Sequence, residues 1–322
     1  MQTRLLTIIP VYNGERFLGR TLASIAAQTR RPDQVIVLDN GSTDGTEAVV
    51  RSFSGCPCTF VRNERNLGLF GNLNRALDFA EQTEYLHLMP ADDVLKPRFY
   101  EVMLGVLERY PAPALAWCLD ERIDEEDRHL SVSGRPTGAI REWDVEAYLR
   151  KKAEIGNQAL AATLFKTGWQ PAPCRFRLDM PILADVVFYA EWGQVSRARV
   201  EVARDLVQYR WHGGNMSCEL MPGLQALVLD EWKTMQHIEG LRGKTSLVRR
   251  WKLQGLFGVR TGIKARRIRQ LGQRDYAREV VRAGRRISGW PLWLAAQCLV
   301  HVRDWIVYGL LRRRRQPRNV FS

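Results

Sequence analysis

Gln34-Val35-Ile36-Val37-Leu38-Asp39-Asn40-Gly41-Ser42-Thr43-Asp44-Gly45-Thr46 runs from an apolar segment into a carboxylate and then a polar turn punctuated by glycine. An unbroken apolar run bounded by turn formers is the pattern of a strand covered on both faces, as in parallel sheets. Gly41 lets the chain turn sharply, and Ser42 or Thr43 is placed to cap a helix that follows. Working outward, residues 5–10, 59–62, 85–89 and 114–119 repeat the strand pattern. Between them, apolar residues fall at helical spacing: Leu18, Leu22 and Ile25, then Leu69, Leu73 and Ala76, extended by Leu77 and Ala80. This alternation predicts an α/β fold, a doubly wound and mostly parallel sheet of Rossmann type. Ligands of such sheets lie beyond the carboxyl ends of the strands, so loops 12–15, 39–46, 63–71 and 90–93 are expected to converge on one crevice.

The chain has 322 residues, 45% hydrophobic and 26% charged, enough for about two domains and far from the composition of disorder. Its six cysteines show no C-x2-C pairing, which sets aside a disulfide scaffold and a zinc module. The apolar stretch after Arg4 is too short for a secretory signal, so a cytoplasmic protein is expected. From 120 to 220 the pattern is less regular, with strand candidates at 159–165, 199–203 and 206–211 around a helical stretch near 182–192. This gives a domain over 1–220, with a nucleotide-binding half (1–120) and an acceptor and catalytic-base half (121–220), then a helical region over 221–322.

The fourth strand ends in Met89-Pro90-Ala91-Asp92-Asp93. Adjacent carboxylates in a crevice repel each other unless a cation neutralises them, and hard oxygen donors suit Mg2+ or Mn2+. His87, alternating within an apolar strand, reads as a core histidine. The acidic run 120–127 reads as a solvated loop or a cover over an acceptor cleft.

These segments together resemble the family 2 glycosyltransferases of the GT-A fold over residues 4–217. The matching elements are Ile9-Pro10-Val11-Tyr12-Asn13, Ser24-Ile25 with Gln28, residues 35–46, Asn66-Leu67-Gly68 followed by Asn74, the Asp92-Asp93 segment, Asp185 in a helical context, and Tyr209-Arg210-Trp211-His212-Gly213-Gly214-Asn215-Met216-Ser217. The resemblance implies transfer of a sugar from a UDP- or dTDP-linked donor to an acceptor hydroxyl with inversion. It assigns nucleotide binding to Pro10, Val11, Tyr12, Asn13, Asp39, Asn66, Gly68, Asn74, Ala91 and Asp92. Asp39 would accept from the base, Asp185 would be the catalytic base, and Asp92 with His212 would hold Mg2+ or Mn2+ at the diphosphate, Asp93 being the second choice. Pro90 stands where the family's first metal-motif acid is usual, Asn40 where a second aspartate is usual, and Ala184 where an acid often precedes the base. The degraded metal motif keeps open the alternative of a non-catalytic sugar-nucleotide-binding module.

Net charge is +13, yet residues 221–322 alone carry 22 Lys and Arg against six Asp and Glu. A near-neutral body with a basic tail predicts a polyanionic partner for the tail. The stretch 287–302 lacks formal charge but is shorter than the roughly 20 residues that cross a bilayer. As one helix it would carry Gln297, His301 and Asp304 on a polar stripe, with Trp290, Trp293, Leu294, Trp305, Ile306 and Leu310 as apolar surface and Arg312–Arg315 beyond. The expectation is peripheral attachment to the inner face of an anionic membrane, where a glycan or lipid-linked acceptor is presented. Nucleic acid is set aside as a partner, and a homo-oligomer is compatible with the pattern.

Overall fold

A computed structural model of the chain describes residues 3–153, 158–180, 182–213, 224–243, 246–270 and 272–299. The chain divides into two units, Met1–His212 and Gly213–Ser322. In the first, β1 (Thr3–Val11), β2 (Gln34–Asp39), β3 (Thr59–Arg62) and β4 (Thr83–Leu88) pair in parallel in the order β3-β2-β1-β4. β1 is covered on both faces, with Leu5, Leu6, Ile8 and Ile9 all buried, as its unbroken apolar run requires. Helix α1 (Leu18–Ala26) buries Leu18, Leu22 and Ile25 against the sheet. Helix α3 (Leu69–Leu77) buries Phe70, Leu73, Ala76 and Leu77, whereas Leu69, expected on that stripe, is exposed at the first turn. Helix α2 (Thr46–Ser52) starts later than a Ser42 or Thr43 cap would allow, and the Thr46 N–H donates instead to Asp44.

The sheet continues through β9 (Thr163–Lys166), β6 (Ala114–Ile123), β10 (Ala198–Arg210) and β5 (Val94–Leu95). β9 is antiparallel to both β4 and β6, and so ends the parallel run. The two strand candidates at 199–203 and 206–211 are one strand, β10, whose register with β6 shifts between Val202 and Val207. That local irregularity breaks the alternation and makes one strand read as two. Short strands β7 (His129–Val132) and β8 (Ile140–Glu142) pair with β6 and β10. Helix α4 (Phe99–Leu107) covers β6, and α5 (Val145–Ala153) packs on α6 (Ala184–Val195).

His87 is a core histidine. It is fully buried on β4, with Nε2 at 2.9 Å from the Ala161 carbonyl and Nδ1 at 2.9 Å from the Tyr100 hydroxyl. The carbonyl can only accept, so Nε2 carries the hydrogen and Nδ1 accepts from Tyr100. Burial lowers its pKa to about 4.

The second unit contains α7 (Leu224–Leu241), α8 (Leu247–Gln270), α9 (Arg274–Ser288) and a helix over 290–299. Glu231 of α7 is buried and takes ion pairs from Arg260 and from Lys264, the latter at 2.6 Å. On the last helix Trp293 and Ala296 are buried, and Gln297, expected on a solvent-facing polar stripe, donates to the Gly258 carbonyl of α8. Trp290, Leu294 and Leu299 are exposed. No described helix is long and apolar enough to cross a membrane. His301, Asp304, Trp305, Ile306, Leu310 and Arg312–Arg315 lie outside the described residues, as do Gly214, Asn215, Met216 and Ser217.

Candidate active site

Three loops at the carboxyl ends of β1, β2 and β3 are tied together by short polar side chains. Asn13 adopts φ 51°, a left-handed conformation that Asn tolerates. Its N–H donates to Ser42 Oγ at 2.8 Å, and its Oδ1 accepts from the Thr43 N–H at 2.9 Å. The Gly14 N–H donates to Thr46 Oγ1 at 2.9 Å, which fastens the first loop to the second. Gly41, at φ 80°, supplies the turn between Asp39 and Ser42. Pro10 and Val11 belong to β1, and Tyr12 stands half exposed at the lip.

Asp39 ends β2 fully buried. Its carboxylate accepts from the Ser42 N–H and hydroxyl, and Arg62 Nε lies over it at 3.4 Å. Asn40 turns the other way and organises the third loop. Its Nδ2 donates to Asn66 Oδ1 at 2.8 Å and to the Gly68 carbonyl at 3.2 Å, while its Oδ1 accepts from the Leu67 N–H and Asn63 Nδ2, both at 2.9 Å. An aspartate could accept the last two bonds but not donate the first two. The departure from paired aspartates is therefore a structural hub rather than a lost contact. Gly68, at φ 73°, leads into α3. Asn74 is occupied as a clamp: its amide donates to and accepts from the Phe176 backbone at 2.9 and 2.7 Å.

The fourth loop meets the end of β10. Asp92 Oδ2 lies 3.0 Å from His212 Nε2, a contact between residues 120 positions apart, and Phe17 packs on the imidazole at 4.9 Å. The Ala91 carbonyl accepts from Thr21 Oγ1 at 2.9 Å. Asp93 points inward: it is buried, and its Oδ1 accepts from the Arg210 N–H at 2.9 Å. Burial, reinforced by the neighbouring Asp92, raises its pKa well above the ordinary value. Arg210, fully buried, donates to the carbonyls of Asp92 and Asp124 and pairs with Asp127 at 2.5 Å. Arg16 and Arg20 hold Glu125 and Asp127 from the other side, at 2.5 and 2.8 Å. The acidic run 120–127 is thus anchored beside Asp92 through its 124–127 segment. The role of Arg210 was visible in sequence only as part of the 209–217 match, and Arg62 gave no signal.

Asp92 and His212 fit a divalent cation. Two neighbouring ligands of an octahedral ion at about 2.1 Å are about 3 Å apart, which is the separation of these donors. Two protein ligands leave positions for diphosphate oxygens and water, as Mg2+ sites usually do. Among the described residues no cluster of three or more His, Cys, Asp or Glu could hold a metal by itself.

Asp185 is half-buried in the first turn of α6, and its Oδ1 accepts from the Val186 N–H at 2.8 Å. Burial raises its pKa while Lys152 acts against the rise.

The Glycosyl transferase family 2 model matches residues 7–160. An uncharacterized glycosyltransferase of Haemophilus influenzae is 27% identical over 226 residues, 65% of this chain and 66% of that protein. One of Rickettsia typhi is 28% identical over 127 residues, 38% of each chain. The chain therefore spans less than two thirds of these relatives' own lengths. Among solved structures, S. aureus TarS 1-349 in complex with UDP-GlcNAc superposes with a TM-score of 0.57 at 16% identity, over 88% of this chain and 90% of that one. The same fragment with UDP gives a TM-score of 0.54 at 15% identity, with the same coverage. The fold is that of GT-A glycosyltransferases, and residues 7–160, just under half of the chain, match the family 2 glycosyltransferase model.

Proposed function

We propose that the protein transfers a sugar from a UDP- or dTDP-linked donor to an acceptor hydroxyl with inversion, in the synthesis of a bacterial surface polysaccharide or glycolipid. The observation that carries this reading is the Asp92–His212 contact at the mouth of the strand-end crevice. Asp39 takes the N–H of the pyrimidine once the exposed Arg62 side chain swings off it. Asp92 and His212 would hold Mg2+ or Mn2+, which would supply Lewis acidity at the departing nucleoside diphosphate. Asp185 accepts the acceptor's hydroxyl proton as the new bond to the anomeric carbon forms and the bond to phosphate breaks on the opposite face. One positioned base contributes about 10²–10⁴-fold.

Calorimetric titration with UDP and dTDP, with and without Mn2+, tests the site. Wild type should bind more tightly with Mn2+, and Asp92→Asn should lose that gain while melting normally. An undiminished gain in the variant would remove Asp92 from the metal site. Asp185→Asn should bind donor as wild type does and lose turnover by at least about 10²-fold.

The second unit supplies the partner surface in this reading. Arg282, Arg285, Arg286 and Trp290 line a hollow of about 360 Å3, and the Arg285 guanidinium lies 4.0 Å from the Trp290 ring. With the exposed Leu294 and Leu299 they form the cationic, aromatic and apolar mixture of an interfacial surface. Each basic residue near an anionic leaflet adds about 1 kcal/mol. Full-length protein should float with vesicles containing phosphatidylserine at low salt, and the Arg282→Glu, Arg285→Glu, Arg286→Glu triple variant should float less. Wild-type protein that ignores such vesicles refutes membrane attachment.

A further inference from the structure

Helix α9 buries Ala277, Val280, Ala283 and Gly284 on one face. Gly284 lies so close to Trp293 of the next helix that a Cβ there would come within 2.4 Å of a ring carbon. Gly289, at φ 77°, turns the chain between the two helices, and the Trp293 N–H donates to the Gly289 carbonyl at 3.0 Å. This packing sets Trp290 beside the last turn of α9, with the Arg285 guanidinium 4.0 Å from its ring centre. Arg282, Arg285 and Arg286 stand at i, i+3 and i+4, so their side chains share one exposed face. With Trp290 they line a hollow of about 360 Å3, within the range of small-molecule sites, about 300–1,000 Å3.

Like charges one helical turn apart repel each other, and the carboxylates of this unit are engaged elsewhere. Glu231 is held by Arg260 and Lys264, Glu239 by Arg242, and Asp275 by Arg278. Asp230 is buried and engaged on α7. Among the described residues no carboxylate pairs with Arg282, Arg285 or Arg286, Glu279 one turn upstream included. Residues after 299 bring one acid, Asp304, against six arginines, and so supply no acidic cover. An oxyanion fits this face. Guanidinium groups present planar N–H forks that match phosphate oxygens in pairs, and an indole held against one of them leaves its donor edge free. A terminal phosphate brings a charge of about −1.5 to −2 and three acceptor oxygens, more than a carboxylate can. Trp290 and Leu294, four residues apart on one helix and both exposed, add an apolar flank.

We propose that the hollow between α9 and Trp290 binds the terminal phosphate of a lipid headgroup. This rests on the reading of the second unit as a membrane-facing surface and narrows it, because the site selects a phosphomonoester rather than anionic charge in general. Arg282, Arg285 and Arg286 donate to the phosphate oxygens, and Trp290 and Leu294 rest against the apolar side of the lipid. A free phosphate ion would leave that indole and leucine in water, which is why a lipid is the better occupant.

The test floats full-length protein, in buffer free of divalent metal, with phosphatidylcholine vesicles that contain either phosphatidylserine or phosphatidic acid, the two sets matched for surface potential. Wild type should partition onto phosphatidic acid at least about tenfold more strongly, the effect of one charge-assisted hydrogen-bonded pair. Arg285→Lys keeps the charge but loses the fork and the flat face against Trp290. It should lose the preference while floating with phosphatidylserine, and melting, as wild type does. Should that variant fail to fold, Arg282→Lys reads the same loss. A preference undiminished in both variants overturns the proposal. Equal partition of wild type onto the two vesicle types also overturns it and leaves attachment through diffuse charge standing, whereas no flotation with either vesicle overturns the site and the membrane reading together. Calorimetry with inorganic phosphate separates the soluble source: binding that Arg285→Lys loses, without a preference for phosphatidic acid, would assign the hollow to a free phosphate and overturn the lipid.

Discussion

The loops around Asp39 and Asp92 and the helix pair around Asp185 stand on one sheet but are held by different forces. At the strand ends, small polar side chains tie loop to loop: Asn13 to Ser42 and Thr43, Asn40 to Asn63, Asn66 and Gly68, Asp92 to His212. Around α6 the fastening is aromatic. Phe188 stacks on Phe176 at 4.0 Å and meets Phe165 and Trp192 at 5.7 and 5.5 Å. Directional bonds fix a ligand-shaped edge, and apolar packing provides the dry surroundings that alter the pKa values of Asp185 and Lys152. The two regions should fail in different ways. Phe188→Ala, which empties a fully buried site, should cost about 3–5 kcal/mol of stability by chemical denaturation, with UDP affinity of the folded fraction little changed. Equal damage to affinity would mean that the two regions are one energetic unit.

The polar edge was legible in the sequence because its parts are local. A strand, a carboxylate and a glycine turn lie within thirteen consecutive residues at 34–46, and parallel strands covered on both faces leave unbroken apolar runs. The aromatic region was legible only in fragments. Helix α5 has the sequence Val-Glu-Ala-Tyr-Leu-Arg-Lys-Lys-Ala, whose charged end conceals that Lys152 is buried. The irregular register divided β10 into two apparent strands. Gln297 looked like a solvent residue because its partner, the Gly258 carbonyl, is a backbone group that no side-chain pattern reveals. Asp92 and His212 were paired only through family resemblance, since nothing local connects residues so far apart.

β4 is the seam between the two regions, pairing with β1 in parallel and with β9 antiparallel. His87 lies on this seam, neutral, between Tyr100 and Ala161. Its folded pKa of about 4 is below the ordinary 6.5, so the unfolded chain takes up the proton first. Stability from this group is complete above pH 6.5 and is lost as pH falls toward 4, a change of about 3 kcal/mol. The difference in unfolding free energy between wild type and His87→Gln should therefore shrink by that amount from pH 7 to pH 4. A difference independent of pH would show that folding leaves the His87 pKa at its ordinary value.

The smallest expected effect bears most directly on the polar edge. Asn40→Asp restores the residue usual in the family, so family likeness alone predicts a neutral or favourable change. The hydrogen bonds predict the opposite. Asn40 is 2% exposed, and its Nδ2 faces two acceptors, Asn66 Oδ1 and the Gly68 carbonyl. A carboxylate oxygen there would lose both bonds and place a buried charge against two oxygens, at a cost of about 1–3 kcal/mol. Loop 63–68 would loosen first, so UDP affinity should fall along with melting temperature, whereas Phe188→Ala lowers stability alone. Asn66→Ala, which removes one acceptor, should make Asn40→Asp less costly in a double-mutant cycle, because the repelling partner is gone. Additive losses would mean that Asn40 acts without Asn66, and that the third loop is held by Leu67 and Gly68 backbone contacts instead.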